Sequence, residues 1–273
     1  MLNDRLTFVR QRIHQACQRC GRDPSTVTLV GVTKGVQVQT IQEAVALGLA
    51  DLGENRVQEA RQKQVALGSR LKARGVGLQP TASSLEPIRW HLIGHLQRNK
   101  VKDAVEMFQV IHSVDSIRLA EELERHAAKW GQGAGDVGQG ETGPSPRAPR
   151  PTPSLPIDVF IQVNLSGEAT RFGCREPDAA PLAEAVARLP HLRLTGLMTI
   201  PPYSDDMEET RPYFRRLREL RDALPSPRAP RPAPLKLSMG MSQDFEVAIE
   251  EGADFVRIGT ALFGERNREG QGA

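Results

Sequence analysis

The sequence has few cysteines, few aromatic residues and no long run of apolar residues. Its 273 residues include 3 cysteines, 2 tryptophans and 2 tyrosines. Three cysteines are too few for a framework of paired disulfides, which favours a reducing compartment. No window approaches the roughly 18 apolar residues of a membrane helix, and charged residues interrupt the N-terminal segment where a signal peptide needs an apolar core. We therefore expect a soluble, cytoplasmic protein with no membrane partner.

An excess of charge of one sign is also lacking. The 36 basic and 33 acidic residues give a net charge of +3. A surface of nearly balanced charge lacks the basic stripe that nucleic-acid binding requires. We expect no nucleic-acid partner.

Two short spacings of metal-ligand residues lack the rest of a metal site. Cys17 and Cys20 form a C-x-x-C pair, but zinc requires further ligands and no second pair exists. His91 and His95 lie four residues apart without the glutamate of H-E-x-x-H, and we expect both at the end of a strand. The sequence predicts no metal.

Short β-rich runs alternate with helical periodicity along the chain. After an amphipathic helix over 5–20, the pattern predicts eight strands, over 27–33, 51–55, 89–96, 109–116, 157–164, 192–200, 235–240 and 254–260. Eight β/α units favour a closed parallel barrel, and no G-x-G-x-x-G follows the first strand to indicate a dinucleotide fold. The prediction is an α/β protein, a single (β/α)8 TIM-barrel domain over 1–273 with an N-terminal helix.

Two segments rich in proline and glycine interrupt this alternation, over 130–154 and 224–234. The heptapeptide SPRAPRP occurs identically at 145–151 and 226–232. Dense proline removes backbone donors and favours extended, solvated chain. We expect both inserts on loops that lead from a helix into a strand, on the barrel face opposite an active site. A docking role for the repeat is the alternative to compositional drift.

Barrel enzymes place their working groups where the strands end, and the first predicted strand, in TLVGVTKGV (28–36), is followed directly by Lys34. A barrel interior tolerates an ammonium poorly, so we expect desolvation to favour a neutral amine that condenses with an aldehyde to a Schiff base. The other candidates at strand ends are Asn55, His95, Asp115, Asn164, Met198, Thr199, Ser238, Arg257, Gly259 and Thr260.

The loops after the last two strands predict an anion site. SMGMS (238–242) and RIGT (257–260) supply small residues, hydroxyls and backbone N–H groups, and these two loops of a barrel frequently bind phosphate. We also expect Ser242 to cap the helix that begins near it. An amine on one side and a phosphate cradle on the other predict a phosphorylated aldehyde, pyridoxal 5′-phosphate (PLP).

A set of ordered motifs resembles the pyridoxal-phosphate homeostasis protein family. The motifs are LVGVTKGV, GENRVQEA, WHLIGHLQRNKVK, IQVNLSGEATRFG, GLMTIPP and LSMGMSQDFEVAIEEGADFVRIGTALFGER. The resemblance runs from about residue 5 to residue 266 outside the inserts, and it implies the barrel that alanine racemase shares with other fold-type III enzymes.

The resemblance also implies a set of cofactor-binding residues. Lys34 matches the Schiff-base lysine, Asn55 matches a residue of the ring pocket, and Met198 matches the residue against the ring. Arg257 matches the arginine that faces the pyridine nitrogen. Ser238, Gly259 and Thr260 match the phosphate contacts. Arg171 stands where the family more usually has lysine, which keeps the charge.

These residues favour a cofactor carrier over an enzyme. An arginine opposite the pyridine nitrogen disfavours the protonated ring that makes PLP a strong electron sink. The only tyrosines, Tyr203 and Tyr213, lie in or beside a proline-rich turn and are not expected to serve as a catalytic acid. We expect a monomeric protein that maintains PLP homeostasis and passes PLP to apo-enzymes. The alternatives are a weak amino-acid racemase and an adaptor built on the Pro/Arg repeats.

Overall fold

The computed structural model describes residues 1–73, 88–133, 156–224 and 234–265. The repeated SPRAPRP segments lie outside the described residues. Their flanks lie on connections from a helix into the following strand, as expected for both inserts.

Nine strands lie in the described ranges, and eight of them close into a parallel barrel. They are β1 (Thr28–Val32), β2 (Asp51–Glu54), β3 (Arg89–Leu92), β4 (Val110–Val114), β5 (Ile157–Asn164), β6 (Cys174–Arg175), β7 (Leu192–Met198), β8 (Lys236–Ser238) and β9 (Phe255–Ile258). The ring closes because β1 pairs with both β2 and β9, and β5 joins β4 to β7. The two-residue strand β6 pairs with the end of β5 outside the ring. The predicted (β/α)8 barrel is confirmed.

Helices follow the strands and cover the outside of the barrel. They are α1 (Leu2–Arg19), α2 (Val38–Ala46), α3 (Val57–Ala73), α4 (Val101–Met107), α5 (Ile117–Gly133), α6 (Ala179–Val186), α7 (Arg211–Ala223), α8 (Phe245–Glu250) and α9 (Thr260–Phe263). The N-terminal helix α1 buries Leu6, Val9 and Ile13, which recur every three or four residues and so share one face. None of the helices in the described segments is long and apolar enough to cross a membrane.

The predicted insert at 130–154 begins too early, because α5 continues to Gly133. Trp130 is partly buried and packs against the core, so the helix gains an apolar contact beyond the predicted end.

The barrel interior holds one apolar cluster and several polar side chains. Val30, Val110, Phe160, Met198 and Phe255 come from five strands and pack together, separate from the core between barrel and helices. Side chains from five parallel strands meet only inside the ring, so this cluster forms the floor of any site at the barrel mouth.

Candidate functional site

A cavity of about 920 Å³ opens at the carboxyl ends of the barrel strands. Its volume lies in the range of roughly 300–1,000 Å³ that ligand sites occupy. The loops after β1, β2, β3, β5, β7, β8 and β9 contribute to its wall. The predicted residues that line it are Lys34, Asn55, Arg257, Gly259 and Thr260. Met198 and Ser238 are fully buried within the barrel and are not among the lining residues.

Lys34 stands on a turn above the barrel rather than on a buried strand. Strand β1 ends at Val32, and Gly35 follows the lysine with φ 68°, a conformation that favours glycine. The side chain of Lys34 lines the cavity and is exposed. The expectation that the barrel interior desolvates this amine is wrong, because Lys34 lies beyond the end of β1 and its side chain is exposed.

A buried ion cluster anchors the turn that carries Lys34. Lys63, on α3, donates from Nζ to the Thr33 carbonyl (2.5 Å), to Glu54 Oε1 (2.6 Å) and to Glu59 Oε1 (2.6 Å). Glu59 Oε1 also accepts from the Gly35 backbone N–H at 2.5 Å. The residues on both sides of Lys34 are thus bound to one cluster, which fixes the position of the Lys34 backbone.

The pKa values of the two glutamates in this cluster are shifted in opposite directions. Burial raises the pKa of Glu54, and its hydrogen bonds from Lys63 and Thr33 only partly oppose that effect. Burial also acts to raise the pKa of Glu59, but hydrogen bonds from Lys63 and the Gly35 N–H outweigh it and lower the pKa. Glu54 Oε2 is buried and accepts no hydrogen bond within the described residues. Lys63 is therefore the cation that makes this carboxylate tolerable.

The loops after β8 and β9 meet at Ser242. Its Oγ accepts hydrogen bonds from the backbone N–H groups of Gly259 and Ala261, both at 3.2 Å. The prediction that Ser242 caps the neighbouring helix is wrong, since α8 begins after Asp244. Asp244 instead stabilises the loop before α8: its Oδ1 accepts a hydrogen bond from the Met241 N–H at 2.6 Å. Small residues, N–H groups and a hydroxyl therefore converge at one place in the cavity wall.

Arg257 lies at the inner end of the cavity and is only 3% exposed. Its Nη1 donates to Ser238 Oγ at 2.7 Å and its Nη2 donates to the Thr199 carbonyl at 2.9 Å. Burial lowers the pKa of its guanidinium to about 10, partly opposed by the charge of Asp244. The group stays protonated near neutral pH and can only donate. Ser238 is occupied by this contact, so its predicted role as a phosphate ligand stays a prediction.

The rim of the cavity is aromatic and exposed. Phe172 stacks on the ring of His95 with a centroid distance of 3.8 Å and an interplanar angle of 9°. Phe172 and Tyr203 are 56% and 73% exposed, and the Tyr203 hydroxyl donates to Asp205. Arg171 donates from Nη1 to the Pro201 carbonyl at 3.1 Å. Tyr203 is therefore a rim residue with its own partner.

Asn55 can lie in the cavity wall because the residue packed against its backbone, Gly94, has no side chain. A Cβ added at Gly94 would lie 2.3 Å from the Asn55 carbonyl oxygen, so only glycine permits this approach.

The buried polar side chains are the part that reasoning from the sequence missed. His91 is an interior residue of β3 and fully buried, so its expected place at a strand end is wrong. The signal was a polar residue inside each of two apolar strands, His91 in β3 and His112 in β4. For the cluster under Lys34, the signal was the pair Glu59 and Lys63, four residues apart on α3. In the described part of the chain no group of three or more His, Cys, Asp or Glu residues is placed to hold a metal.

Comparison with known proteins finds relatives over nearly the whole chain. The family model described as alanine racemase, N-terminal domain, matches residues 6–267. A pyridoxal phosphate homeostasis protein of Aquifex aeolicus is 42% identical over 263 residues, covering 96% of this chain and 97% of the relative. A protein of the same name from Pseudomonas aeruginosa is 40% identical over 264 residues, covering 97% and 95%.

A solved structure extends this similarity to three dimensions. PipY of Synechococcus elongatus PCC7942, solved with PLP bound, has a TM-score of 0.70 and 32% identity, and the match covers 97% of this chain and 100% of PipY.

Proposed function

The chain belongs to the pyridoxal phosphate homeostasis protein family, and from this membership we propose that it binds PLP reversibly through Lys34 and maintains the cellular supply of that cofactor. One observation carries the proposal. A lysine amine, a buried arginine and the Ser242 hydroxyl, whose oxygen is held by two backbone N–H groups, all line the same cavity.

The chemistry of the donor set fits PLP. When bound, PLP supplies an aldehyde, which condenses reversibly with a lysine amine and releases one water. The exposed amine of Lys34 is open to such a reaction, and the cluster around Lys63 holds its backbone in place. The Gly259 and Ala261 N–H groups donate to Ser242 Oγ, and this leaves the Ser242 O–H to donate to a phosphate dianion.

The residues around the cavity favour binding and release of PLP over catalysis of racemisation. Arg257 donates and holds its charge, so it does not support the protonated ring that racemisation needs. Tyr203 stands at the open rim and donates to Asp205, which does not place it as the acid or base on a substrate. We propose that the protein is not an enzyme and that it acts as a monomer, passing PLP to PLP-dependent apo-enzymes.

The test is a titration of purified protein with PLP, followed by visible absorption and by equilibrium dialysis. Wild-type protein should develop the absorption of a covalently bound cofactor with saturation at one equivalent. Lys34→Ala should lose that absorption and retain only weak binding through the phosphate contacts. Lys100→Ala, at a lysine that does not line this cavity, is the matched control and should bind as the wild type does. Wild-type absorption in Lys34→Ala would refute the role of Lys34.

Carriage is separated from racemisation by hydrogen exchange. Loaded protein is incubated with single L-amino acids in deuterated water, and exchange of the α-proton is compared with free PLP. Exchange no faster than with free PLP is expected, and turnover above it would establish the racemase alternative.

A further inference from the structure

A line of hydrogen bonds crosses the barrel interior from Arg257 to the opposite face. Arg257 Nη1 donates to Ser238 Oγ at 2.7 Å, and Ser238 Oγ lies 2.8 Å from His112 Nδ1. His112 Nε2 lies 2.9 Å from His91 Nδ1, and His91 Nε2 lies 2.8 Å from Asp51 Oδ1. The five residues come from β9, β8, β4, β3 and β2, so the line links five strands.

The two ends of this line give it one direction. Arg257 can only donate, so the Ser238 oxygen accepts from it, and the Ser238 O–H is left to donate to His112 Nδ1. Asp51, as a carboxylate, can only accept, so His91 carries its proton on Nε2 and accepts at Nδ1 from His112. Both histidines are then neutral with the proton on Nε2. Every donor has an acceptor along the line, which is the condition for a stable buried polar network.

Burial keeps other groups away from the line. Ser238, His112 and His91 are 0% exposed, and the His112 ring stacks on Phe160 at 4.5 Å and 5°. Burial lowers the pKa of both histidines, and for His112 the charge of Arg257 adds to the effect. Neither ring therefore takes up a second proton that would reverse the line.

The line also supplies Arg257 with a remote carboxylate. In the described residues, Arg257 hydrogen-bonds Ser238 and Thr199 but no carboxylate. Asp51 stands at the amino end of β2, on the face opposite the cavity, and is 18% exposed. Through three neutral groups its charge polarises the Ser238 oxygen toward the guanidinium.

We propose that Asp51, His91 and His112 are positioning residues that hold and orient the Arg257 guanidinium at the cavity through a one-directional line of hydrogen bonds. What Arg257 does for a bound cofactor rests on the proposed function, whereas the direction of the line does not. Asp51 would thus influence the cavity from the other end of the barrel.

The first test uses nitrogen NMR on the full chain with ¹⁵N-labelled histidine and no cofactor. Both His91 and His112 should be neutral at pH 7, with Nε2 protonated and Nδ1 unprotonated. The single variants His91→Gln and His112→Gln assign the two sets of signals. A proton on Nδ1 of either ring in the wild type would overturn the proposed direction, whatever the protein binds.

The second test measures whether a change at Asp51 alters PLP binding at the cavity. Asp51→Leu removes the acceptor, and Asp51→Asn keeps an acceptor oxygen but removes the charge. Both variants should shift the visible band of the PLP-loaded protein and raise its Kd for PLP, about tenfold for Leu and less for Asn. The NMR signals of both histidines should move in the cofactor-free variants.

Two matched variants separate positioning from general stability. Arg89→Gln removes the other partner of Asp51, an ion pair at 3.2 Å, and leaves the Asp51–His91 contact in place. Glu124→Gln removes a carboxylate–histidine pair at 2.6 Å that lies outside the line. Both should keep the wild-type band and Kd. If Asp51→Asn folds and matches these two controls in band, Kd and histidine signals, the proposal is wrong. If the wild type binds no PLP, the proposed function fails, and the NMR test still decides the direction of the line.

Discussion

The cluster around Lys63 predicts a large, pH-dependent loss of stability in Lys63→Met. The substitution keeps an unbranched side chain one atom shorter but removes the ammonium that three oxygens within 2.6 Å share. Lys63 and Glu54 side chains are 8% and 0% exposed, so water cannot replace the lost contact. Removing one partner of a buried ion pair costs about 3–5 kcal/mol.

Protonation of Glu54 limits this loss at low pH. Burial already raises the pKa of Glu54, and without Lys63 only the hydrogen bond from Thr33 still opposes that rise. A carboxyl whose pKa is higher in the fold than in the unfolded chain destabilises the fold as pH rises between those two values. The free energy of unfolding of Lys63→Met should therefore lie about 3 kcal/mol below wild type at pH 8, and the gap should narrow toward pH 5.

The assay is urea unfolding followed by circular dichroism at both pH values. Lys102→Met, the same change at an exposed position of α4, is the matched control and should stay within about 0.5 kcal/mol of wild type. The double variant Glu54→Gln/Lys63→Met should recover part of the loss, because it removes the unpaired charge. A loss below about 1 kcal/mol that does not change with pH would refute the reasoning.

Three further predictions concern the histidines, the phosphate cradle and the wall beside Asn55. Because burial lowers the pKa of His91 and His112, the unfolded chain binds more protons below about pH 6.5, and stability should fall there by up to about 1.4 kcal/mol per histidine per pH unit. The double variant His91→Gln/His112→Gln should flatten that profile in urea unfolding. Ser242→Ala should weaken PLP binding about tenfold in dialysis, the equivalent of one hydrogen bond of about 1.4 kcal/mol. Gly94→Ala should lower stability by about 1–3 kcal/mol and weaken PLP binding, because its Cβ would lie 2.3 Å from the Asn55 oxygen.

The predictions for Ser242 and Gly94 each have a control within the chain. Ser204 also lines the cavity, but its hydroxyl donates to Glu209, so Ser204→Ala should leave PLP affinity unchanged. A Cβ at Gly68, inside α3, would meet nothing within 4 Å, so Gly68→Ala should stabilise the helix by about 0.5–1 kcal/mol. Equal effects of Ser204→Ala and Ser242→Ala, or of the two glycine variants, would contradict the geometry described for these positions.

The barrel could be predicted because its signal is local. Each strand is a short β-rich run, each helix has its own period, and eight repeats permit few other arrangements. The family resemblance is confirmed by relatives that are 42% and 40% identical over nearly the whole chain. The early end expected for α5 shows the limit, because the packing of Trp130 on the core is a tertiary contact.

The residues of the site could be predicted only from the rule that functional side chains lie at the carboxyl ends of barrel strands. That rule brought Lys34, Asn55, Arg257, Gly259 and Thr260 to one cavity. It does not say whether a side chain at a strand end faces the barrel axis or the mouth, and Ser238 is fully buried between His112 and Arg257. The exposure of Lys34 depends on where β1 stops, which the residue pattern leaves uncertain by two positions.

Contacts between residues that are distant in the sequence could not be predicted from the sequence pattern. The separation between Asp51 and Arg257 spans most of the chain, and only the closed ring brings their hydrogen-bonding partners together. A pattern shows that a histidine interrupts a strand, but it does not show which residue of another strand will meet it.

The most direct measurement of the central claim is peptide mass spectrometry after borohydride reduction of PLP-loaded protein. Reduction fixes a covalently held cofactor in place, and the account predicts one adduct, on Lys34, at near-full occupancy. Loaded protein with no adduct on Lys34, or with the adduct spread over several lysines, would contradict it.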